Sequence, residues 1–245
     1  VFLYSFFNSL VKSQRGVSSL KKLMRMNPVL EWITNFLFLN LTWVLYNVPI
    51  FYLVLNFSVV ENPAQSYMLL LNILILMPFL FFPSTTAMFG IARKWVMKDD
   101  VPIFRFFWKY FKENYKMSML GGILLTLIGT ILVVNYFYFK ESIPFVSYVF
   151  LFFLFFWFLY TLYFCACIVH TENTLRQNLK NTFVLSIIDP FFNFGIGIIC
   201  VGIVFISVKY LTFLLPFFTG ALIAYVAFFG FYHVFDKLLS LTNKK

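Results

Sequence analysis

Between Pro28 and Phe235 the sequence is a succession of apolar runs, each long enough to cross a lipid bilayer, with its charges confined to the short pieces between them. A bilayer core of about 30 Å needs about 20 apolar residues per helical span, so runs of this length predict transmembrane helices. The expected fold class is an all-α integral membrane protein with six transmembrane helices, both termini cytoplasmic, and amphipathic helices at the membrane surface. A chain of 245 residues that is 62% hydrophobic and 11% charged is too apolar for a soluble domain, and six spans leave no room for a second sizeable one.

Residues 1–28 form a basic amphipathic arm: Lys12, Arg15, Lys21, Lys22 and Arg25 without an acid, and Leu3, Phe6, Phe7, Leu10 and Val11 at helical spacing. Its charges do not precede its apolar residues as in a signal peptide, so the arm is expected to be retained. Residues 29–245 then read as a single six-helix membrane domain, with spans at about 29–57, 67–91, 117–139, 144–169, 191–209 and 211–235. Asn27 and Pro28 make a good helix opening, with Glu31 at the positive end of the dipole. Pro49 is expected to bend the first span, and Pro78 with Pro83 to kink or break the second near Ser84. Lys209 and Pro216 mark the turn between the last two.

The distribution of Lys and Arg tests this layout independently. The arm holds five, the segment from Arg93 to Lys116 seven, the piece with Arg176 and Lys180 two, and the tail three (Lys237, Lys244, Lys245), against only Lys140 and Lys209 on the opposite side. The positive-inside rule then puts both termini on the cytoplasmic side of the membrane. The net charge of +10 is a topological signal whose default partner is anionic lipid headgroups, with no nucleic acid implied.

Two of these cytoplasmic connections have helical patterns of their own. Arg105, Lys109, Lys112 and Lys116 make a cationic stripe, and Phe104, Phe107, Trp108, Phe111 and Tyr115 an aromatic one. Asp100 is the expected N-cap, with Pro102 in the first turn, of a helix lying along the headgroups. Its charged face suits lipid first and an acidic partner second. The second connection, TENTLRQNLKNTFVLSIIDP, puts Leu175, Leu179 and Phe183 on one face of a short surface helix ended by Asp189 and Pro190. It occupies the place where importer permeases of the ATP-binding-cassette type carry the loop that couples to their ATPase. Glu172 and Pro190 are present, while the small-residue core and glycine of that loop are not.

Little in the sequence points to chemistry. All nine acids sit at span ends or in connections, which argues against an intramembrane proton or ion relay. Cys165, Cys167 and Cys200 read as packing residues, and with only His170 and His233 besides, neither a metal nor a cofactor is expected. Asn35, Asn40, Asn47, Asn56 and Asn72 with Ser84, Thr85 and Thr86 are neutral groups suited to helix-to-helix hydrogen bonds. Gly122, Gly129, Gly195, Gly202, Gly220, Ala224 and Ala227 offer faces for close helix approach. No phosphate loop, activated nucleophile or paired carboxylate is present, so an enzyme is the least supported class.

At FLNLTWVLYNVPIF, and more specifically from Pro83 to Leu125, the chain resembles the YesL-like family of bacterial membrane proteins, whose activity is unassigned. The motif residues are Pro83, Thr85, Ala87, Phe89, the trio Arg93, Lys94 and Trp95, the pair Asp99 and Asp100, then Pro102, Phe104, Phe107 and Trp108. The longer basic arm departs from the short family start. Members are commonly encoded beside carbohydrate importers of the ATP-binding-cassette type. The resemblance therefore implies a non-catalytic auxiliary or scaffolding subunit, hetero-oligomeric with permease subunits of such an importer. The rival reading is a self-sufficient small-solute transporter with the asparagines of span one lining its path. A third is a lipid-binding membrane organiser acting through the cationic stripe.

Overall fold

The computed structural model describes residues 28–242. The basic arm before Pro28, together with Lys244 and Lys245, lies outside the described residues. Within them every regular element is helical: α1 Pro28–Tyr46, α2 Val48–Val59, α3 Pro63–Leu76, α4 Phe82–Val96, α5 Ile103–Ser142, α6 Pro144–His170, α7 Leu175–Ile188, α8 Pro190–Lys209 and α9 Gly220–Thr242. Short π-helical turns, Met77–Phe81 and Leu215–Thr219, lead into α4 and α9. Six stretches are long and apolar enough to cross a membrane: Val29–Tyr46, Pro63–Val96, Ile103–Ser142, Pro144–His170, Pro190–Lys209 and Leu215–Ser240.

The prolines act at different places from those expected. The first span, read as residues 29–57, ends at Tyr46, because Asn47 leaves the helix (φ −102°, ψ 9°) and Pro49 falls in the first turn of a separate helix, α2. The second runs from Pro63 to Val96, and its irregularity lies at Met77–Phe81, ahead of Ser84. Pro83 lacks an N–H and its ring crowds the preceding turn, which opens to π geometry. The Ser84 hydroxyl donates to the carbonyl oxygens of Leu80 (2.6 Å) and Phe81 (3.1 Å) in the preceding turn, where the π segment joins α4. Pro144 and Pro190, both at the first helical position, start α6 and α8 within one residue of expectation. The last span begins at Leu215 and ends at Ser240, later at both ends than 211–235.

The headgroup helix expected around Arg105 to Lys116 is not a separate element. Nothing between Lys116 and Leu125 breaks a helix, so the stripe continues into span three as one 40-residue helix. Its start is capped by Pro102, in extended backbone, and not by Asp100. At 1.5 Å per residue α5 is about 60 Å long, roughly twice a bilayer core. Its apolar part, 117–139, has the length of the core, and its first turns pack beside α1, with Phe104 against Phe38 and Phe107 and Phe111 against Tyr46.

The centre of the bundle is α4, in which every residue from Phe82 to Ala92 is buried, surrounded by α1, α5, α6 and α9. Phe89, Phe107, Tyr163, Phe228 and Phe231 are fully enclosed around it. In lipid there is little hydrophobic drive between helices, so cohesion rests on close packing and interhelical hydrogen bonds. Small residues make room for aromatic ones: the position of an added Cβ lies 2.5 Å from the Tyr110 ring at Gly90, 2.0 Å from Phe164 at Gly121, 2.7 Å from Phe82 at Gly122 and 2.4 Å from Trp157 at Gly129. The helices α2 and α3 pack on each other and bury only Ile50.

Candidate functional site

The family-like motif maps onto α4 and the turn that follows it. Pro83, Thr85 and Phe89 lie in its buried part, and the Thr85 hydroxyl accepts a hydrogen bond from the Trp43 indole (3.1 Å), tying α4 to α1. Arg93 Nη1 donates to the carbonyl of Val169 (2.9 Å), one of the unpaired carbonyls in the last turn of α6, while its Nε is buried without a partner. His170 sits inside an aromatic ring of Phe228, Phe231, Tyr232 and Phe235, with centroids 4.7 to 6.0 Å away. These residues therefore fasten one end of α4 to α6 and α9.

Beyond α4 the chain turns sharply. Asp99 N–H donates to the carbonyl of Lys94 and Lys98 N–H to that of Trp95, the paired bonds of a Schellman cap. Lys98 occupies the left-handed position (φ 64°), where glycine is the usual residue. The Lys94 ammonium pairs with Asp99 at 2.9 Å. Against this turn lies the first turn of α1, and between them opens a cleft of about 390 Å³ lined by Glu31, Trp32, Asn35, Trp95, Lys98, Asp99 and Asp100. Pro102 follows as the cap of α5.

The cationic stripe is exposed along the first four turns of α5. Arg105, Lys109, Lys112 and Lys116 face outward with Phe104 and Trp108, while Phe107 is fully buried and Phe111 half-buried against Tyr46 at 5.0 Å. Lys112 lies over the Trp108 ring (5.1 Å) and Lys109 over Phe106 (5.8 Å), with Glu113 3.9 Å from Lys109. Exposed pairs of this kind contribute about 0–1 kcal/mol to stability, so the stripe is a surface rather than a brace.

On α7 the expected apolar face divides, with Leu175 and Leu179 half-buried against the cluster of Phe82, Leu125, Phe164 and Ile168. Phe183 points outward, and the buried ridge is Asn178, Thr182 and Ser186 with Leu185. The Asn178 carbonyl oxygen accepts from Thr171 (3.0 Å), Asn193 donates to the carbonyls of Leu185 and Ser186, and Tyr163 donates to Asn193 at 2.8 Å. A Thr174–Gln177 capping box starts the helix. The hydrogen bond from Lys237 holds the Asp189 carboxyl below its ordinary range, fixing α9 to the α7–α8 corner. Sequence periodicity missed this network, because in lipid an apolar stripe can face outward and a polar one inward.

The helix-packing set divides. Gly122, Gly129 and Gly220 are met by side chains of other helices, and Ala224 and Ala227 are fully buried. Gly195 and Gly202 have nothing within 4 Å of an added Cβ, so among the described residues no side chain closes on these two positions. Gly90, Gly121, Gly197 and Gly230, not singled out from sequence, make close contacts. Among the described residues no three of His, Cys, Asp and Glu gather as a metal site would require.

These features define an α-helical, multi-pass membrane protein. Residues 34–136 match the family described as Protein of unknown function, DUF624. The chain is 27% identical over 205 residues to the Uncharacterized protein YteU of Bacillus subtilis (strain 168), covering 82% of this chain and 81% of that one. To the Uncharacterized protein YesL of the same organism it is 22% identical (82% and 85% covered), and to the Uncharacterized protein YesV 28% (63% and 76%). The family match and these homologues are consistent with the resemblance to YesL-like proteins that the residues from Pro83 to Trp108 imply. No solved structure matches it significantly.

Proposed function

We propose that this protein is a non-catalytic auxiliary subunit of a bacterial cell membrane, with both termini cytoplasmic, that packs against the permease of a carbohydrate importer of the ATP-binding-cassette type. The likeness to YesL-like proteins supplies the partner class. The observation that carries the reading over a self-sufficient transporter is the engagement of Asn40 and Asn47, the two buried asparagines of the first span as read from sequence. Asn40 donates to the carbonyl of Leu215 (3.1 Å) and accepts from Ala221 N–H (3.0 Å), and Asn47 donates to Ser84 Oγ and the carbonyl of Trp43, both at 2.8 Å. Polar groups that a solute path would need are used to hold helices together. The exposed stripe of α5 and the open glycines of α8 are the surfaces left for lipid and partner.

A tagged copy, solubilised in mild detergent with the importer intact, is expected to recover permease subunits. Recovery of none, or sugar uptake by the purified protein alone in liposomes, would overturn the proposal.

A further inference from the structure

The Trp32 ring borders two surface depressions of opposite character. One is the cleft of about 390 Å³ at the Schellman turn, where Glu31, Asp99 and Asp100 join Lys98 and Trp95. The other, of about 380 Å³, is lined only by apolar residues, Val29, Ile33 and Phe36 of α1 with Phe218 of the π-helical turn and Leu222 from the start of α9. Trp32 is locked between them, stacked on Phe36 (5.7 Å, 29°) and T-shaped against Tyr225 (5.5 Å, 84°). Both lie where the first turns of α1 meet the end of α4 and the start of the last span.

The charges of the cleft are not self-satisfied. Asp99 is neutralised by Lys94, but Glu31, Asp100 and Lys98 have no ion pair among the described residues. Two unpaired carboxylates beside two indoles favour a cation, by direct attraction and by the ring quadrupole. The unpaired lysine favours an anion a few ångströms away. A molecule that carries both charges on one short head, joined to an apolar tail for the neighbouring groove, matches the whole arrangement. We infer that these paired depressions seat one ammonium-bearing zwitterionic glycerophospholipid, its ammonium towards Glu31 and Asp100, its phosphate towards Lys98 and an acyl chain along the Val29–Ile33 face. A purely anionic headgroup would meet three carboxylates against Lys94 and Lys98. The site thus has the opposite preference to the α5 stripe, and it does not depend on the importer reading.

Native mass spectrometry on the delipidated full chain in detergent tests this, with phosphatidylethanolamine, phosphatidylcholine and phosphatidylglycerol of identical chains as probes. Phosphatidylethanolamine is expected to be retained about tenfold more strongly than phosphatidylglycerol, as one charge-assisted contact would give. Equal retention of phosphatidylcholine means that charge suffices; weaker retention means that the ammonium donates hydrogen bonds; both support the site. The double variant Glu31→Gln, Asp100→Asn should lose that preference. Lys98→Gly should weaken retention while keeping or raising the melting temperature, because glycine suits φ 64° better than lysine. Arg105→Gln with Lys109→Gln should leave phosphatidylethanolamine retention unchanged. Chain-free glycerophosphoethanolamine should not compete at equal concentration. Equal retention of phosphatidylglycerol by the parent, retention of phosphatidylethanolamine unchanged in both cleft variants, or competition by the chain-free head would overturn the inference.

Discussion

Gly121→Leu is expected to abolish the monodisperse bundle, whereas Gly202→Leu and Gly195→Leu leave it intact. At Gly121 even a Cβ would lie 2.0 Å from Phe164 Cζ and 2.4 Å from its Cε1. Phe164 cannot retreat, being fully enclosed with Phe82, Leu125 and Ile168. Overpacking of a closed core costs about 1–3 kcal/mol for added methylenes, and a whole leucine set against a trapped ring belongs at or above the upper end. At Gly195 and Gly202 nothing lies within 4 Å, so the same change should shift stability by no more than about 0.5 kcal/mol, as elsewhere on the surface. Thermal melting in detergent reads the difference. If the permease seats on this face of α8, the two α8 variants should also recover less of it while melting normally. A Gly121→Leu protein that melts like the parent would show the packing here to be wrong.

Asn40→Leu is expected to lower the melting temperature sharply, with a loss of about 1–4 kcal/mol from two interhelical hydrogen bonds at roughly 0.6–2 kcal/mol each. Asn40 is fully buried, and its amide serves backbone groups on either side of a helix irregularity. Pro216 supplies no N–H, the turn Leu215–Thr219 opens to π geometry, and Asn40 meets the carbonyl of Leu215 and the N–H of Ala221. Leucine would leave both unpaired in an apolar interior. A variant that melts like the parent yet abolishes solute uptake in liposomes would instead mark Asn40 as part of a transport path.

The spans were legible because each needs only an apolar run of bilayer length, and Pro144 and Pro190 announce helix starts at the positions they occupy. What the sequence could not reveal depends on partners distant in the chain. The break at Asn47 and the π turn ahead of Ser84 lie beside Pro49 and Pro83, and the hydrogen bond from Asn47 to Ser84 joins positions 37 residues apart. The stripe from Arg105 to Lys116 has the pattern of a surface helix, and only the absence of a breaker before Leu120 hinted that it runs on into span three. Leu175, Leu179 and Phe183 marked one apolar face of a short surface helix; Leu175 and Leu179 pack inward, Phe183 is exposed, and the polar Asn178 is fully inside. Glycines read alike in sequence: Gly121 and Gly202 differ only by what a neighbouring helix brings against them. Of the candidate site, the motif residues were visible, whereas their convergence with Glu31 and Trp32 required the fold.

The most direct test concerns the side of the membrane on which the long helix α5 begins. Single cysteines at Lys112→Cys and Lys140→Cys occupy exposed positions near opposite ends of α5, and the native Cys165, Cys167 and Cys200 are buried and give little background. A membrane-impermeant maleimide should label Lys140→Cys on intact cells and Lys112→Cys only after permeabilisation. Labelling of Lys112→Cys from outside, or of both positions from one side, would contradict the six-span arrangement with its basic surface turned inward.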